Sequence, residues 1–498
     1  MIEMIGGEMP SFTEDRPRAG GALFGYLAGQ LPAGADVLVA GPHTDELIDA
    51  LAERSAVTCL VRSEPEAIEL DARGRTVLCG TLAKLPDAEK YDVIVALDGL
   101  DRLCSVEDEQ LDWAASLQAL KRALRPGGTL LLAVENELGV HRLVDPTTAT
   151  SAQTDSAWRP LGEFDTKPGN PTRLAGKLSA EGLAIDWLGS AWPVPESPTL
   201  IATPNALQDG PADVLAAVAA GAVGQAYAEK AVLSDPRRLA AAAVRGGLGP
   251  EFAASWLVVA HQAPRPAAVL NLPPVLAGDG PVVEIAPGPD GAWVRRVLIG
   301  EGDVLNGPLP AGRLLEELLL GAALRHDLPL LRRLLTGWAA ALPQSTADNV
   351  VVHHDAFAVL DPSIPPQTDV IRRFAQTLLG GGYAHPWPAA TDLQTLTSVL
   401  HGAAGLPDDV PPVPAEAEIP LPDSRREHEE QLRALRRQIA DATSRAQWYE
   451  RELNKRDKEL TKLRKQVALF SGTVSFRVAK IGFGVARKAR NRLRKGLK

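Results

Sequence analysis

A carboxylate and a glycine stand at the ends of two apolar runs, and their types suit chemistry. Asp98 closes the run Tyr91-Asp92-Val93-Ile94-Val95-Ala96-Leu97. A carboxylate at the end of a buried strand can orient or deprotonate an acceptor. Because Gly99 follows it, Asp98 fits a helix cap equally well. Gly41 ends Val37-Leu38-Val39-Ala40 and precedes Pro42. A residue without Cβ lets backbone come close to a ligand, or simply lets the chain turn. His353-His354-Asp355 holds metal-ligating types, but neighbours on a strand point to opposite faces and do not converge on one ion. Cys59, Cys79 and Cys104 lie scattered in apolar elements without metal or disulfide spacing, as small buried hydrophobes of a reducing compartment do. No metal site is expected.

The elements that must position Gly41 and Asp98 alternate in type. Residues 37–40, 57–61, 77–80 and 93–97 read as short buried strands, and residues 44–54 place Leu47, Ile48 and Leu51 at helical spacing. Leu120-Lys121-Arg122-Ala123-Leu124 leads through Arg125-Pro126-Gly127-Gly128 into the strand-like residues 129–134. Strands alternating with helices imply right-handed crossovers, a parallel sheet and a ligand site at the strands' carboxyl ends. Residues 183–189 and 199–203 read as two more strands, joined by the turn Trp192-Pro193-Val194-Pro195-Glu196-Ser197-Pro198.

This pattern resembles the class I S-adenosylmethionine-dependent methyltransferases over residues 30–205. The fold class it implies is α/β, a Rossmann-like methyltransferase sheet with a closing antiparallel hairpin. The resemblance implies S-adenosyl-L-methionine as cofactor, with Gly41 as the first glycine of the loop against its methionine part. His43 and Asp45 take the places of later glycines. Val61 stands where a ribose-binding acid is expected, which leaves Glu64 as a displaced candidate. Thr81 and Leu82 follow Gly80 where an adenine-binding acid is often found. Asp98 is the residue the resemblance offers as catalytic. Two functions remain open: a methyltransferase, or a catalytically inactive methyltransferase-like scaffold.

Residues 206–405 read as an α+β domain. Ser234-Asp235-Pro236 is a helix-capping pattern, residues 256–260 are strand-like, and residues 314–340 carry leucines three and four apart. Residues 346–362 resemble the metal-binding hairpin of aminoglycoside phosphotransferase-like kinases, with Asn349 and Asp361 at the magnesium positions. Gln344 stands where that family has its catalytic Asp, and Arg295 or Arg296 where a strand lysine is sought. The resemblance is thus to a degenerate, non-catalytic module, and an unrelated β-hairpin with a polar edge fits the same residues.

Residues 406–423 form a Pro-rich acidic linker, semi-rigid and extended. Ser424-Arg425-Arg426-Glu427 reads as a capping box. Leu432, Leu435, Ile439, Ala442, Ala446, Tyr449, Leu453, Arg456, Leu460, Leu463, Val467 and Phe470 then alternate three-four spacing, interrupted only by Arg456. That period predicts a coiled coil over residues 424–470, most simply a homodimer; one solvated amphipathic helix is the alternative. In residues 471–498, Phe476, Ile481 and Phe483 are interleaved with cations. This suits an anionic membrane surface, with a disordered basic tail touching nucleic acid as the other reading. Thr473-Val474-Ser475-Phe476-Arg477 resembles the tails of bacterial cell-surface glycosyltransferases and methyltransferases.

Charge bounds the partners. The 498 residues carry a net charge of −10, yet residues 460–498 hold 12 Lys and Arg and no Asp or Glu. A protein that binds nucleic acid along its whole length would not be so acidic elsewhere. Residues 1–17 are polar and acidic, so no secretory signal is expected, and no apolar run is long enough for a membrane span. The expected setting is cytoplasmic, peripheral at the inner membrane face. The domain combination implies glycan or small-molecule acceptors in cell-surface polysaccharide biosynthesis.

Overall fold

A computed structural model describes residues 1–14, 16–87, 90–145, 166–228, 230, 232–263, 270–407, 425–472, 481–484, 486–488 and 490. The chain divides into two units, Met1–Pro422 and Asp423–Lys498. In the first, strands β1 Ile2–Gly6, β2 Asp36–Ala40, β3 Ala56–Val61, β4 Thr76–Gly80, β5 Tyr91–Ala96 and β6 Leu124–Glu135 form a parallel array. Its order is β1-β4-β3-β2-β5-β6. Alternation along each strand builds the two faces. Val37 and Val39 pack against Leu23, Leu27, Leu47 and Ile48 of the helices Ala22–Gly29 and Asp45–Ala52. Leu38 and Ala40 pack with Trp113, Leu117 and Leu120 of the helix Trp113–Ala123.

The far half of the sheet differs from the expected connectivity. Strand β7 Leu183–Trp192 does not pair with β6. Strand β9 Ser255–Gln262 runs antiparallel between them, with Leu131 opposite Val259 and Val259 opposite Trp187. The predicted turn does join β7 to β8 Leu200–Ala202, but β8 lies on the outer side of β7. The sheet-closing partner is therefore the strand-like segment that the sequence places after residue 205. A boundary there does not coincide with the end of the sheet, which continues through β10 Val275–Ala277, β11 Val282–Pro287, β12 Trp293–Ile299 and β13 Gly307–Pro308. The physical reason is burial: Leu257 and Val259 face one core layer, Trp256, Val258 and Ala260 the other, and all five are within 1% of complete burial. Strands apolar on both faces belong in the middle of a sheet.

Helices Ala212–Ala226 and Pro236–Arg245 pack with Trp192, Val275 and Val283. Asp235 caps the second of these as its sequence suggests. The leucine-rich stretch is two helices, Leu315–Leu324 and Leu328–Ala341. His326, in the left-handed region at φ 55°, breaks it, and Asp327 caps the second helix. Strands β14 Arg313–Leu314, β15 Val350–His353 and β16 Ala356–Val359 form a separate small sheet. The second unit contains the long helix Arg425–Gly472. Ser424, most of the linker and the Thr473-to-Arg477 motif lie outside the described residues. Among the described residues, no helix is long and apolar enough to cross a membrane.

Candidate active site

The parallel strands end on one rim, and Gly41 and Asp98 meet there. Gly41 turns in the left-handed region, φ 92°, and its N–H donates to Leu60 O at 2.9 Å. A Cβ at Gly41 would stand 3.4 Å from both Asp98 Oδ2 and Leu103 Cδ2. The space over the glycine is thus filled by the chain's own atoms. Asp98 is no free carboxylate. Arg102 donates from Nε to Asp98 Oδ2 at 2.7 Å and from Nη2 to Oδ1. The remaining guanidinium donors reach Arg16 O at 3.0 Å and Pro17 O at 2.7 Å. Burial pushes Asp98 up to about 6, against the pull of Arg102. With each oxygen accepting from Arg102, an acceptor's proton must compete with the guanidinium for Asp98 in this arrangement.

His43 occupies the next part of the loop. Its imidazole is 1% exposed, 2.8 Å from Gly41 O through Nδ1, and accepts the Leu97 N–H through Nε2 at 3.1 Å. These partners require the tautomer protonated on Nδ1. Burial lowers its pKa to about 4, so the ring is neutral and staples the end of β2 to the end of β5. A glycine here would leave an open loop; His43 closes it.

The amino-terminal segment covers β3 and β4. Met9 pairs with Ser63: Met9 N–H donates to Arg62 O at 2.8 Å and Glu64 N–H to Met9 O at 3.2 Å. Ser63 Oγ donates to Phe12 O at 2.6 Å and also caps the helix Glu64–Ala72. Arg62 donates to Glu14 Oε1 at 2.8 Å and to Cys104 O at 2.8 Å, and lies 5.1 Å over the Phe12 ring. Thr81 and Leu82 are sealed off, at 0% and 1% exposure. Thr81 Oγ1 accepts the Ser105 N–H at 3.1 Å, and Leu82 N–H donates to Leu103 O at 2.8 Å. Of the five site residues expected, the rim brings Gly41 and Asp98 together. Glu64 begins its helix beside Met9, while Thr81 and Leu82 lie beneath residues 103–105.

Several residues of this rim escaped the sequence reading. Arg102 carried a usable signal, since it stands four residues after Asp98 in the spacing of an ion pair. Glu14 and Arg16 carried none, because an irregular segment has no period. Glu135 ends β6 and is held well below the ordinary carboxylate range. Burial opposes ionisation there, but the hydrogen bond with His141 and the positive charges of Lys167 and Arg142 outweigh it. The cavity left between Asp98, Arg102, Glu135, Glu196, Arg16 and Ser255 encloses about 20 Å³. That is room for about one water, where small-molecule sites run to roughly 300–1,000 Å³. S-adenosylmethionine does not fit these residues as they are arranged. A wider depression of about 490 Å³ lies at Arg332, Thr336, Trp387 and Val399, and among the described residues Arg332 is the sole titratable group lining it.

In the second candidate region, Asn349 is committed to backbone. Its Nδ2 donates to Asp361 O at 2.9 Å and its Oδ1 accepts the Asp361 N–H at 2.8 Å. The Asp361 carboxylate accepts Ser363 N–H and Oγ–H. Arg295 donates to Leu360 O. The amide of Asn349 therefore splices β15 to the chain after β16 and is not aimed at an ion. His353 and His354 rings stand edge-on at 4.3 Å, with His354 at φ 56° in the hairpin turn.

No family model matches the chain, and no curated protein matches it. Solved structures resemble about half of it. The cyclase SpnF is similar at 19% identity and a TM-score of 0.26, covering 48% of this chain and 80% of its own. A putative sarcosine dimethylglycine methyltransferase from Galdieria sulphuraria is similar at 15% identity and a TM-score of 0.26, over 48% and 82%. A methyltransferase dependent on S-adenosylmethionine from Geobacter sulfurreducens, solved with S-adenosyl-L-homocysteine, is similar at 16% identity and a TM-score of 0.24, over 49% and 90%. At such values the fold stands on the strand order described above.

Proposed function

We propose that the first unit is an S-adenosylmethionine-dependent methyltransferase, acting on a small-molecule or glycan acceptor in the assembly of cell-surface polysaccharide. The observation that carries this reading is the rim itself. A parallel array closed by an antiparallel β9 brings a left-handed Gly41 and the Asp98 carboxylate to one point, where open α/β sheets bind ligands. In the arrangement described, the site is shut. Cofactor entry requires the segment carrying Glu14 and Arg16 to leave, and Asp98 serves an acceptor only once Arg102 releases it.

The second unit pairs two copies through the helix Arg425–Gly472, and the basic end holds the pair at an anionic membrane surface. The small size of the cavity suits one other reading: a catalytically inactive scaffold that brings partners to that surface. Calorimetric titration of S-adenosylmethionine and S-adenosylhomocysteine into the full chain, its Glu14→Ala variant and its Gly41→Trp variant separates the two. The methyltransferase reading expects saturable micromolar binding, stronger in Glu14→Ala and absent in Gly41→Trp. No binding at millimolar ligand to any folded form leaves the scaffold.

A further inference from the structure

The helix Arg425–Gly472 carries an apolar seam that is exposed among the described residues. Leu432, Leu435, Ile439, Tyr449, Leu453, Leu460, Leu463 and Val467 are 50 to 64% exposed. With Leu432 at position a, the heptad puts Ile439, Ala446, Leu453, Leu460 and Val467 at a. Leu435, Ala442, Tyr449, Arg456 and Leu463 fall at d. Resting on the reading that the second unit pairs two copies, we infer that the pair is parallel and in register.

The flanking charges decide the direction. In a parallel pair, each g residue faces the e residue five positions on in the other copy. Arg445 then meets Glu450, and Glu459 meets Arg464, each twice by symmetry. The like-charged contacts fall in one layer: Arg456 meets Arg456 of the other copy at d, and Glu452 meets Asp457 beside it. Arg456 already lies 3.8 Å from Glu452 of its own helix, so that seam cation is flanked by acids that neutralise it. The interruption in the apolar pattern thus has its partners in place. The antiparallel register that keeps every a opposite a d sets Leu432 against position 470. It pairs Arg445 with Glu459, but sets Arg436 against Arg464, Glu450 against Glu450 and Glu452 against Glu452. Opposite charges prevail in the parallel arrangement and like charges in the antiparallel one.

Parallel pairing has a geometric result: both basic carboxyl ends emerge at the same end of the pair. Light scattering on the full chain, combined with single cysteines, tests it. In register, Leu435 sits at the same d layer in both copies, close enough for a disulfide. Full-chain Leu435→Cys in a glutathione redox buffer is therefore expected to run as a covalent dimer, while Cys59, Cys79 and Cys104 stay buried. A dimer in which Leu435→Cys alone does not link, but a mixture of Leu435→Cys and Val467→Cys does, overturns the parallel inference and keeps the pairing. A monomer at tens of micromolar overturns the pairing itself.

Discussion

The carboxyl rim of the sheet and the long carboxyl-terminal helix treat their most reactive groups in opposite ways. At the rim, Asp98, Glu14, Arg62, Arg102 and His43 are answered from within. Arg102 holds Asp98 and two backbone carbonyls, Arg62 holds Glu14, and His43 holds two strands. Along the helix, a line of large apolar side chains is exposed among the described residues. The difference teaches where each region's partner must come from. A satisfied rim must first break its own contacts before it takes a ligand, whereas an exposed seam gains by meeting any matching surface.

The largest effect is expected where the seam is broken. Leu453→Asp with Leu460→Asp should turn a dimer of the full chain into a monomer by light scattering, with the melting of the first unit unchanged. A shift in that melting would erase the contrast between the two regions. Next comes Arg102→Ala, which leaves Asp98 buried without its hydrogen-bonded cation, while Glu14 keeps Arg62. Breaking one side of such a buried pair costs about 3–5 kcal/mol, read as a lowered denaturation midpoint. An unchanged midpoint would mean that the rim is open and hydrated in solution.

His43→Gln keeps an acceptor for the Leu97 N–H and loses the bond to Gly41 O, at about 1–3 kcal/mol for a buried group left unmet. It should also change the dependence on pH. Folded His43 is held near 4 by burial, while the unfolded ring titrates near 6.5. The unfolded chain therefore binds the extra proton between those values. This contribution is complete above pH 6.5 and disappears as the pH falls towards 4, so the variant should lose less stability over that window than the wild type. Equal slopes would place the imidazole in water. The smallest effect belongs to Arg125→Gln. Arg125 bridges Asp36 and Asp92 at the opposite end of the strands, with all three side chains at least 40% exposed, and exposed pairs add little. No resolvable shift in melting is expected, and a clear one would show that exposure is not what separates strong from weak contacts here.

Much of the first unit was legible because period and burial coincide. Residues 37–40, 57–61, 77–80 and 93–97 became β2 to β5 with small shifts at their ends, and Thr44 stands as the N-cap of the predicted helix. The closing strand was misplaced because nearness along the chain favours residues 199–203. Nothing local reveals that four helices intervene between β8 and β9 before β9 takes the central place. The meeting of Gly41 with Asp98 followed from strand ends alone. The closure of the site did not, since it depends on Glu14, Arg16 and Phe12, which lie in an irregular segment and act through single long-range bonds. Strand β1 was missed for a related reason. It is an edge strand, half exposed, whose apolar Ile2, Met4 and Ile5 keep no steady two-residue alternation.

The place of β9 also sets a timetable for synthesis. Strands β6 and β7 are both made before it, and neither pairs with the other. Between the ribosome's addition of Trp192 and of Gln262, the edge of β6 has no neighbour. At elongation rates of about 5–20 residues per second, that interval lasts roughly 4 to 14 s, before counting passage through the exit tunnel. During it the nascent chain presents an open strand edge flanked by apolar side chains, a template for pairing with other chains. Rare codons or stalling between residues 193 and 262 should therefore lower the yield of folded protein more than the same delay placed after residue 262.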